Sequence, residues 1–77
     1  MQPIVLPSAY RHDIEDADML HAYRNATGWF PAQGDHDLTM LVGPAENGVT
    51  MLEVGLVEAD NGERFIVHAM KARPKYL

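Results

Sequence analysis

The sequence predicts an α+β fold in which an extended N-terminal arm and one main helix precede an antiparallel β-meander of three or four strands. Three observations support this prediction. Helical periodicity is confined to the segment "IEDADMLHAYRNA", residues 14–26, and the chain after Gly28 alternates apolar and polar residues with a period of two. Asn-Gly pairs, a strong hairpin signal, separate the alternating runs. With 77 residues, the chain is expected to form a single domain, 1–77.

The first ten residues contain Pro3 and Pro7, which predict an extended arm or an edge strand and not a helix. Asp13 is the predicted N-cap of the helix, and acidic residues follow in the first turn, where the helix dipole favours them. Gly28 is the expected stop signal near the helix C-terminus. One face of this helix is apolar and should pack on the sheet: Met19, Leu20, Tyr23 and Ala26.

Three segments have the alternation and composition of β-strands: residues 38–45, 51–59 and 64–72. The stretch "WFPAQ", residues 29–33, is a candidate for a short edge strand that is limited by its proline. A two-residue turn at Asn61-Gly62 places Gly55 opposite His68, Glu53 opposite Met70 and Val57 opposite Ile66, all on one face. The same register places Leu56 opposite Val67 and Val54 opposite Ala69 on the other face.

Both faces of the predicted sheet are therefore largely apolar, and one helix can cover only one of them. An antiparallel sheet normally exposes one polar face to water, and exposed apolar patches usually mark interaction sites. A partner interface is therefore expected on the second face, which carries Met40, Val42, Val57, Ile66 and Met70. The alternative is a small sandwich in which the N-terminal arm closes this face.

The composition bounds the class of protein. The chain has no cysteine, so disulfides and cysteine-containing zinc sites are excluded. No apolar run approaches the about 20 residues of a membrane span, and the N-terminus has no signal-peptide pattern, so a cytoplasmic location without membrane contact is expected. The four histidines, which include His36 in "GDHDL", lack short ligand spacing, so neither a metal nor a cofactor is predicted.

The formal charge of −5 argues against non-specific nucleic-acid binding, but the charge is segregated. All eleven acidic residues lie between Asp13 and Glu63 together with a single cation, Arg24. Three of the six cations lie in the last seven positions, within "HAMKARPKYL". The C-terminal segment can therefore present a local cationic surface on an acidic protein.

This segment suggests RNA cleavage by attack of a 2′-hydroxyl, which needs a base, an acid and cations near the phosphate. A histidine that titrates near neutral pH can serve as base or acid without a metal. The predicted catalytic residues are His68, Arg73 and Arg24. The predicted RNA- or phosphate-binding residues are Arg11, His12, Lys71 and Lys75, and His21 and Glu53 complete the candidate set. The alternatives are a hydrogen-bonded strand histidine and a solvated basic tail.

The segments "SAYRHDIEDADMLHAYRNATGWF" and "RFIVHAMKAR" resemble BrnT-type toxins of the RelE-like superfamily. In those proteins a basic arm leads into an acidic helix start, and the last strand ends in an Arg-containing segment. Here Ala26 stands where the group has the proline of its "RNP"-like residues, and the chain is acidic where such toxins are usually basic. The resemblance implies a helix-then-sheet fold, a ribonuclease-type toxin and a cognate antitoxin. It implies functional roles for Arg11, His12, Arg24, His68 and Arg73.

Two hypotheses follow. In the first, the protein is the toxin of a toxin–antitoxin pair and cleaves RNA without a metal. In the second, it is a non-catalytic interaction module that forms a homodimer or a complex with another protein through the second apolar face of its sheet.

Overall fold

The computed structural model describes residues 2–31 and 37–77 and has the predicted α+β class. A short strand β1 (Ile4–Val5) leads into a first 3-10 helix (Pro7–His12) and then helix α1 (Asp16–Arg24). The later elements are β2 (Gly28–Pro31), β3 (Leu38–Pro44), β4 (Met51–Glu58), β5 (Arg64–Lys71) and a second 3-10 helix (Pro74–Tyr76). In the described ranges no helix is long and apolar enough to cross a membrane.

The strands form one five-stranded mixed sheet in the order β1-β5-β4-β3-β2. Strands β2 to β5 make the predicted antiparallel meander. The short edge strand that was predicted for residues 29–33 is confirmed over residues 29–31, which belong to β2. The rest of that segment lies outside the described ranges. The fifth strand is β1, which pairs parallel to β5 at the other edge, where Val5 lies opposite Ile66. The edge strand that the first ten residues allowed is therefore present as β1, but its parallel pairing with β5 was not predicted. The prediction counted three or four purely antiparallel strands, and two residues are too few to show a periodicity.

The N-terminal arm is extended at β1 and at Leu6 (φ −86°, ψ 156°). The prediction that residues 1–10 are not helical is wrong from Pro7 onward, where the first 3-10 helix begins with proline in its first turn. The fixed φ of proline suits a helix start, and its missing N–H costs nothing there. Asp13 is not the N-cap of α1: it closes the 3-10 helix in a left-handed conformation (φ 59°), with its N–H donating to the carbonyl of Tyr10. Glu15 is the residue that precedes α1.

The core lies between α1 and one face of the sheet. Met19 and Ala22 of α1 are fully buried, and Leu20, Tyr23 and Ala26 pack against the same cluster, in agreement with the predicted apolar face. Ala9 of the first 3-10 helix joins them. Ala45, just after β3, is also part of this cluster, and the strands contribute its other buried side chains: Leu41, Leu52, Val54, Leu56, Ile66 and Ala69.

The helix lies unusually close to β3 at Gly43. A Cβ atom built on Gly43 would lie 2.3 Å from the carbonyl oxygen of Ala22, so only glycine fits. Two hydrogen bonds hold the helix at this end of β3. Nδ1 of His21 donates to the carbonyl of Pro44 (2.8 Å), and the N–H of Glu46 donates to the carboxylate of Asp18 (3.0 Å).

The turn between β4 and β5 differs from the predicted two-residue turn. The N–H of Gly62 donates to the carbonyl of Ala59 (2.9 Å), and Gly62 has φ 88°, so the loop comprises the three residues 60–62. A type I turn followed by a glycine in the left-handed region is a common three-residue hairpin. This longer loop shifts the register by one residue, so Val57 pairs with Phe65 and not with Ile66 as predicted.

A β-bulge then reverses this shift. Leu56 pairs with Ile66, whereas Gly55 pairs with His68, so Val67 is the extra residue on β5. The pairings predicted for Ile66 and Val67 are therefore wrong, and those predicted for His68, Ala69 and Met70 are correct. A shift of one residue moves a side chain to the opposite face of a sheet. Ile66 accordingly lies in the core with α1, while His68 remains on the second face, away from the helix.

Candidate functional site

A fully buried carboxylate, that of Glu53 on β4, lies at the centre of the second face. Its Oε1 accepts hydrogen bonds from the backbone N–H and Nε of Arg73, both at 2.9 Å. Its Oε2 accepts from Nη2 of Arg73 (2.7 Å) and from Nε2 of His68 (3.0 Å). Four donors therefore surround two oxygens, and every lone pair of this buried anion has a partner.

The local sequence explains how Arg73 reaches this position. The N–H of Ala72 donates to the carbonyl of Met51 (2.9 Å), so pairing with β4 continues past the end of β5. Arg73 is extended (φ −78°, ψ 153°), as expected of a residue that precedes a proline. Its guanidinium reaches back to Glu53, and the second 3-10 helix begins at Pro74.

The electrostatics keep Glu53 ionised. Burial alone would raise the pKa of its carboxyl group, but hydrogen bonds from the side chain and backbone of Arg73 and from His68, with the positive charge of Arg73, lower that pKa from 4.5 to about 2. The same contact raises the pKa of Arg73. Burying an ion pair is costly, but removing one partner costs more because it leaves an uncompensated buried charge.

The Glu53 carboxyl group is expected to titrate with a pKa of about 2 when followed by carbon-13 NMR. Because this pKa is lowered by folding, the stability that it contributes is complete above pH 4.5 and is lost as the pH falls from 4.5 to about 2. Replacing Arg73 with Gln should raise the midpoint, because burial remains while the charged donors are lost. An unchanged midpoint in the Arg73→Gln variant would contradict this account.

His68 links the carboxylate to a second histidine. Its ring lies edge-on to the ring of His12, with the centroids 5.7 Å apart and the planes at 80°. His12 ends the first 3-10 helix, which packs along β5, and Ser8 of that helix donates to the carbonyl of Val67 (2.8 Å). His12 is exposed and the side chain of His68 is 30% exposed, so both imidazoles are accessible to a ligand.

A groove of about 630 Å³ lies beside His68 on the second face. One part is apolar and the other cationic, and its lining consists of Phe30, Pro31, Leu38, Met40, His68, Arg73, Lys75 and Tyr76. The rings of Phe30 and Tyr76 lie 5.8 Å apart, and Nζ of Lys75 lies 5.1 Å from the centre of the Tyr76 ring. Cations beside exposed aromatic rings suit a ligand that carries both a phosphate and a base.

The structure brings four of the predicted site residues together: His12, His68, Arg73 and Lys75. Arg11 is exposed next to His12. The structure does not bring Arg24 or Lys71 to this site. Arg24 ends α1, which packs on the opposite face, and Lys71 pairs with Leu52, whose side chain is in the core on that face. His21 lies on α1 as well.

The structure also differs from the predicted partner interface, both in which residues lie on the second face and in how exposed they are. Ile66 does not belong to it, because the bulge turns that side chain into the core. Met40 and Val42 do lie on the second face, but they are only 4% and 3% exposed. Val57 and Met70 are half-buried. The C-terminal segment lies across part of this face, because Arg73 bonds to Glu53 and Tyr76 packs on Phe30.

Sequence reasoning missed two features of the site. Phe30 and Tyr76 are far apart in the chain, and no pattern connected them. Glu53 was a candidate, but its role as the common acceptor was not recognised. The sequence does contain a signal for this role, since Glu53 is a carboxylate inside the otherwise apolar run "MLEVGLV". A charge that is buried in such a strand requires a partner.

Nothing in residues 2–31 and 37–77 groups three or more side chains that could hold a metal ion, and His36 lies outside those ranges. The candidate site consists of two accessible imidazoles, a buried carboxylate and a groove that is partly apolar and partly cationic. Comparison with protein-family models, curated proteins and solved structures finds no match for this chain.

Proposed function

We propose that this protein is a metal-independent endoribonuclease, the toxin component of a toxin–antitoxin pair, and that the groove beside His68 binds its RNA. The observation that carries the proposal is the edge-on contact between His12 and His68, because His68 lines the groove together with Arg73 and Lys75. Two accessible imidazoles from different elements can supply both the base and the acid of a phosphoryl transfer.

The reaction uses His68 as the base and His12 as the acid. His68 removes the proton of a ribose 2′-hydroxyl, and the 2′-oxygen forms a bond to the adjacent phosphorus. The bond from phosphorus to the 5′-oxygen breaks, and the protonated imidazole of His12 donates its proton to that oxygen. The products are a 2′,3′-cyclic phosphate and a free 5′-hydroxyl, and the two histidines end with their protonation states exchanged.

Cations near the phosphate stabilise the charge that develops in the transition state. Lys75 supports this role because it lines the groove and its ammonium group lies over the face of Tyr76. Arg73 adds positive charge to the same groove, although its guanidinium is hydrogen-bonded to Glu53. Phe30 and Tyr76 offer faces on which an unpaired base can stack.

The resemblance of the sequence to BrnT-type toxins supports the same class of function and suggests a cognate antitoxin that covers the groove. A reading frame beside this gene that encodes a small DNA-binding protein would strengthen that assignment. The acidic charge of the rest of the chain suits a nuclease that binds its substrate at one local site.

The test is the chemistry of RNA ends produced by the protein. Expression in bacteria is expected to slow growth and to generate RNA fragments with 2′,3′-cyclic phosphate ends, and the purified protein should cleave a labelled single-stranded RNA in the presence of EDTA. An all-deoxy substrate should stay intact, because it lacks the attacking hydroxyl. A His12→Ala/His68→Ala variant serves as the control.

If the wild-type protein neither slows growth nor produces such ends, the ribonuclease proposal fails. The alternative is then the non-catalytic interaction module. Its partner surface would be the part of the second face that stays accessible, around Phe30, Val57 and Met70.

A further inference from the structure

We propose that Glu53 is a positioning residue that holds His68 in a single tautomer, with the proton on Nε2, and makes Nδ1 the atom that accepts the proton of the 2′-hydroxyl. The tautomer assignment rests on the geometry of Glu53 alone. The role of Nδ1 in catalysis rests on the proposed ribonuclease function.

The hydrogen bonds determine the tautomer. An ionised carboxylate can only accept hydrogen bonds, so the nitrogen of His68 that lies 3.0 Å from Oε2 of Glu53 must carry a proton. Because the pKa of Glu53 is lowered to about 2, the carboxylate stays an acceptor at every pH at which the protein would act. A neutral imidazole then has its lone pair on Nδ1.

The carboxylate itself is held in one orientation. Arg73 donates to Oε1 through its backbone N–H and Nε, and to Oε2 through Nη2, so the contact fixes both oxygens. Such a two-pronged contact needs the planar guanidinium, and lysine cannot reproduce it. Arg73 therefore acts through Glu53 on His68, and Lys75 becomes the better candidate for direct contact with the phosphate.

The second nitrogen of His68 is available for chemistry. In the part of the chain that the structure describes, Nδ1 has no hydrogen-bond partner, and no buried side-chain nitrogen or oxygen lacks a partner. Nδ1 is therefore open to solvent. His68 lines the groove, so in the proposed reaction the 2′-hydroxyl is bound against this nitrogen.

Nitrogen-15 NMR of the histidine-labelled wild-type protein tests the tautomer directly, without RNA. At a pH where His68 is neutral, Nε2 should give the shift of a protonated nitrogen and Nδ1 that of a bare nitrogen. The Arg73→Lys variant should move both shifts toward their average, because Glu53 loses its two-pronged anchor. A wild-type His68 that carries its proton on Nδ1, or that averages between the two forms, would overturn the inference.

Kinetics of the Glu53→Gln variant test the catalytic consequence. We expect kcat to fall about 100-fold or more with KM changed less than about threefold, since loss of the carboxylate that orients a triad histidine costs about 10⁴-fold in a serine protease. Glu58→Gln, an exposed substitution on the same strand, is the matched control and should leave both constants unchanged.

The two proposals can fail separately. An Nε2–H tautomer in a protein that cleaves no RNA would reject the ribonuclease function and support the positioning role of Glu53. Active RNA cleavage with an Nδ1–H tautomer would reject the inference and support the function. If Glu53→Gln does not fold, the tautomer of the wild-type protein still decides the inference.

Discussion

If the protein cleaves RNA as proposed, replacing His68 with alanine is expected to reduce the cleavage rate by about 10²–10⁴-fold, the usual effect of removing a general base or acid. His68 contacts the other main parts of the candidate site. It bonds to Glu53 on β4, its ring meets that of His12 on the first 3-10 helix, and it lines the groove. Single-turnover cleavage of a labelled RNA at saturating protein measures the effect on the chemical step separately from binding.

Lys71→Ala is the matched control for this substitution. Lys71 is also a cationic candidate at the end of β5, but it lies three residues further along and on the opposite face of the sheet. Its removal should leave the cleavage rate within about twofold, because a solvated charge away from the phosphate contributes little. Equal loss of activity in the two variants, or full activity of His68→Ala with an intact fold, would place the site elsewhere.

Gly43→Ala is expected to destabilise the protein by about 3 kcal/mol or more, at the upper end of what overpacking a core usually costs. The added methyl group would lie 2.3 Å from the carbonyl oxygen of Ala22 and 2.9 Å from its carbonyl carbon. Both are backbone atoms, so relief requires α1 to move away from β3, and the hydrogen bond from His21 to Pro44 would be stretched. Denaturant unfolding followed by circular dichroism measures the change in free energy.

The comparison for this variant is Gly28→Ala on the neighbouring strand. A Cβ at Gly28 would lie 3.0 Å from the edge of the Phe30 ring, which is an exposed side chain that can rotate. Its cost should therefore be clearly smaller than that of Gly43→Ala. If the two variants were equally stable, the close approach of helix and strand at Gly43 would not limit the packing.

The register of β4 and β5 shows how a wrong prediction for a turn can still leave His68 on the predicted face of the sheet. The Asn-Gly pair indicated a hairpin at the right point of the chain, but the loop has one more residue than a two-residue turn. A bulge at Val67 compensates for that residue, so His68 still lies opposite Gly55 and only Ile66 and Val67 are misplaced. A two-residue turn with regular pairing and a three-residue loop followed by a bulge both fit the alternation of apolar residues in this short segment. The pattern cannot distinguish them, because both the core and the groove accept apolar side chains.

The sequence by itself determined the α+β class, the three long strands and the face of α1 that packs on them, and its charge pattern indicated the segment from His68 to Lys75 as a candidate site. These properties depend on periodicity, turn residues and charge, which are local. The tertiary structure alone decided that Glu53 accepts from both His68 and Arg73, that His12 meets His68, and that Phe30 and Tyr76 form one groove. It also removed Arg24 and Lys71 from the site. Contacts between residues so far apart depend on strand order and on which face each side chain occupies, and a pairing shift of one residue reverses that face.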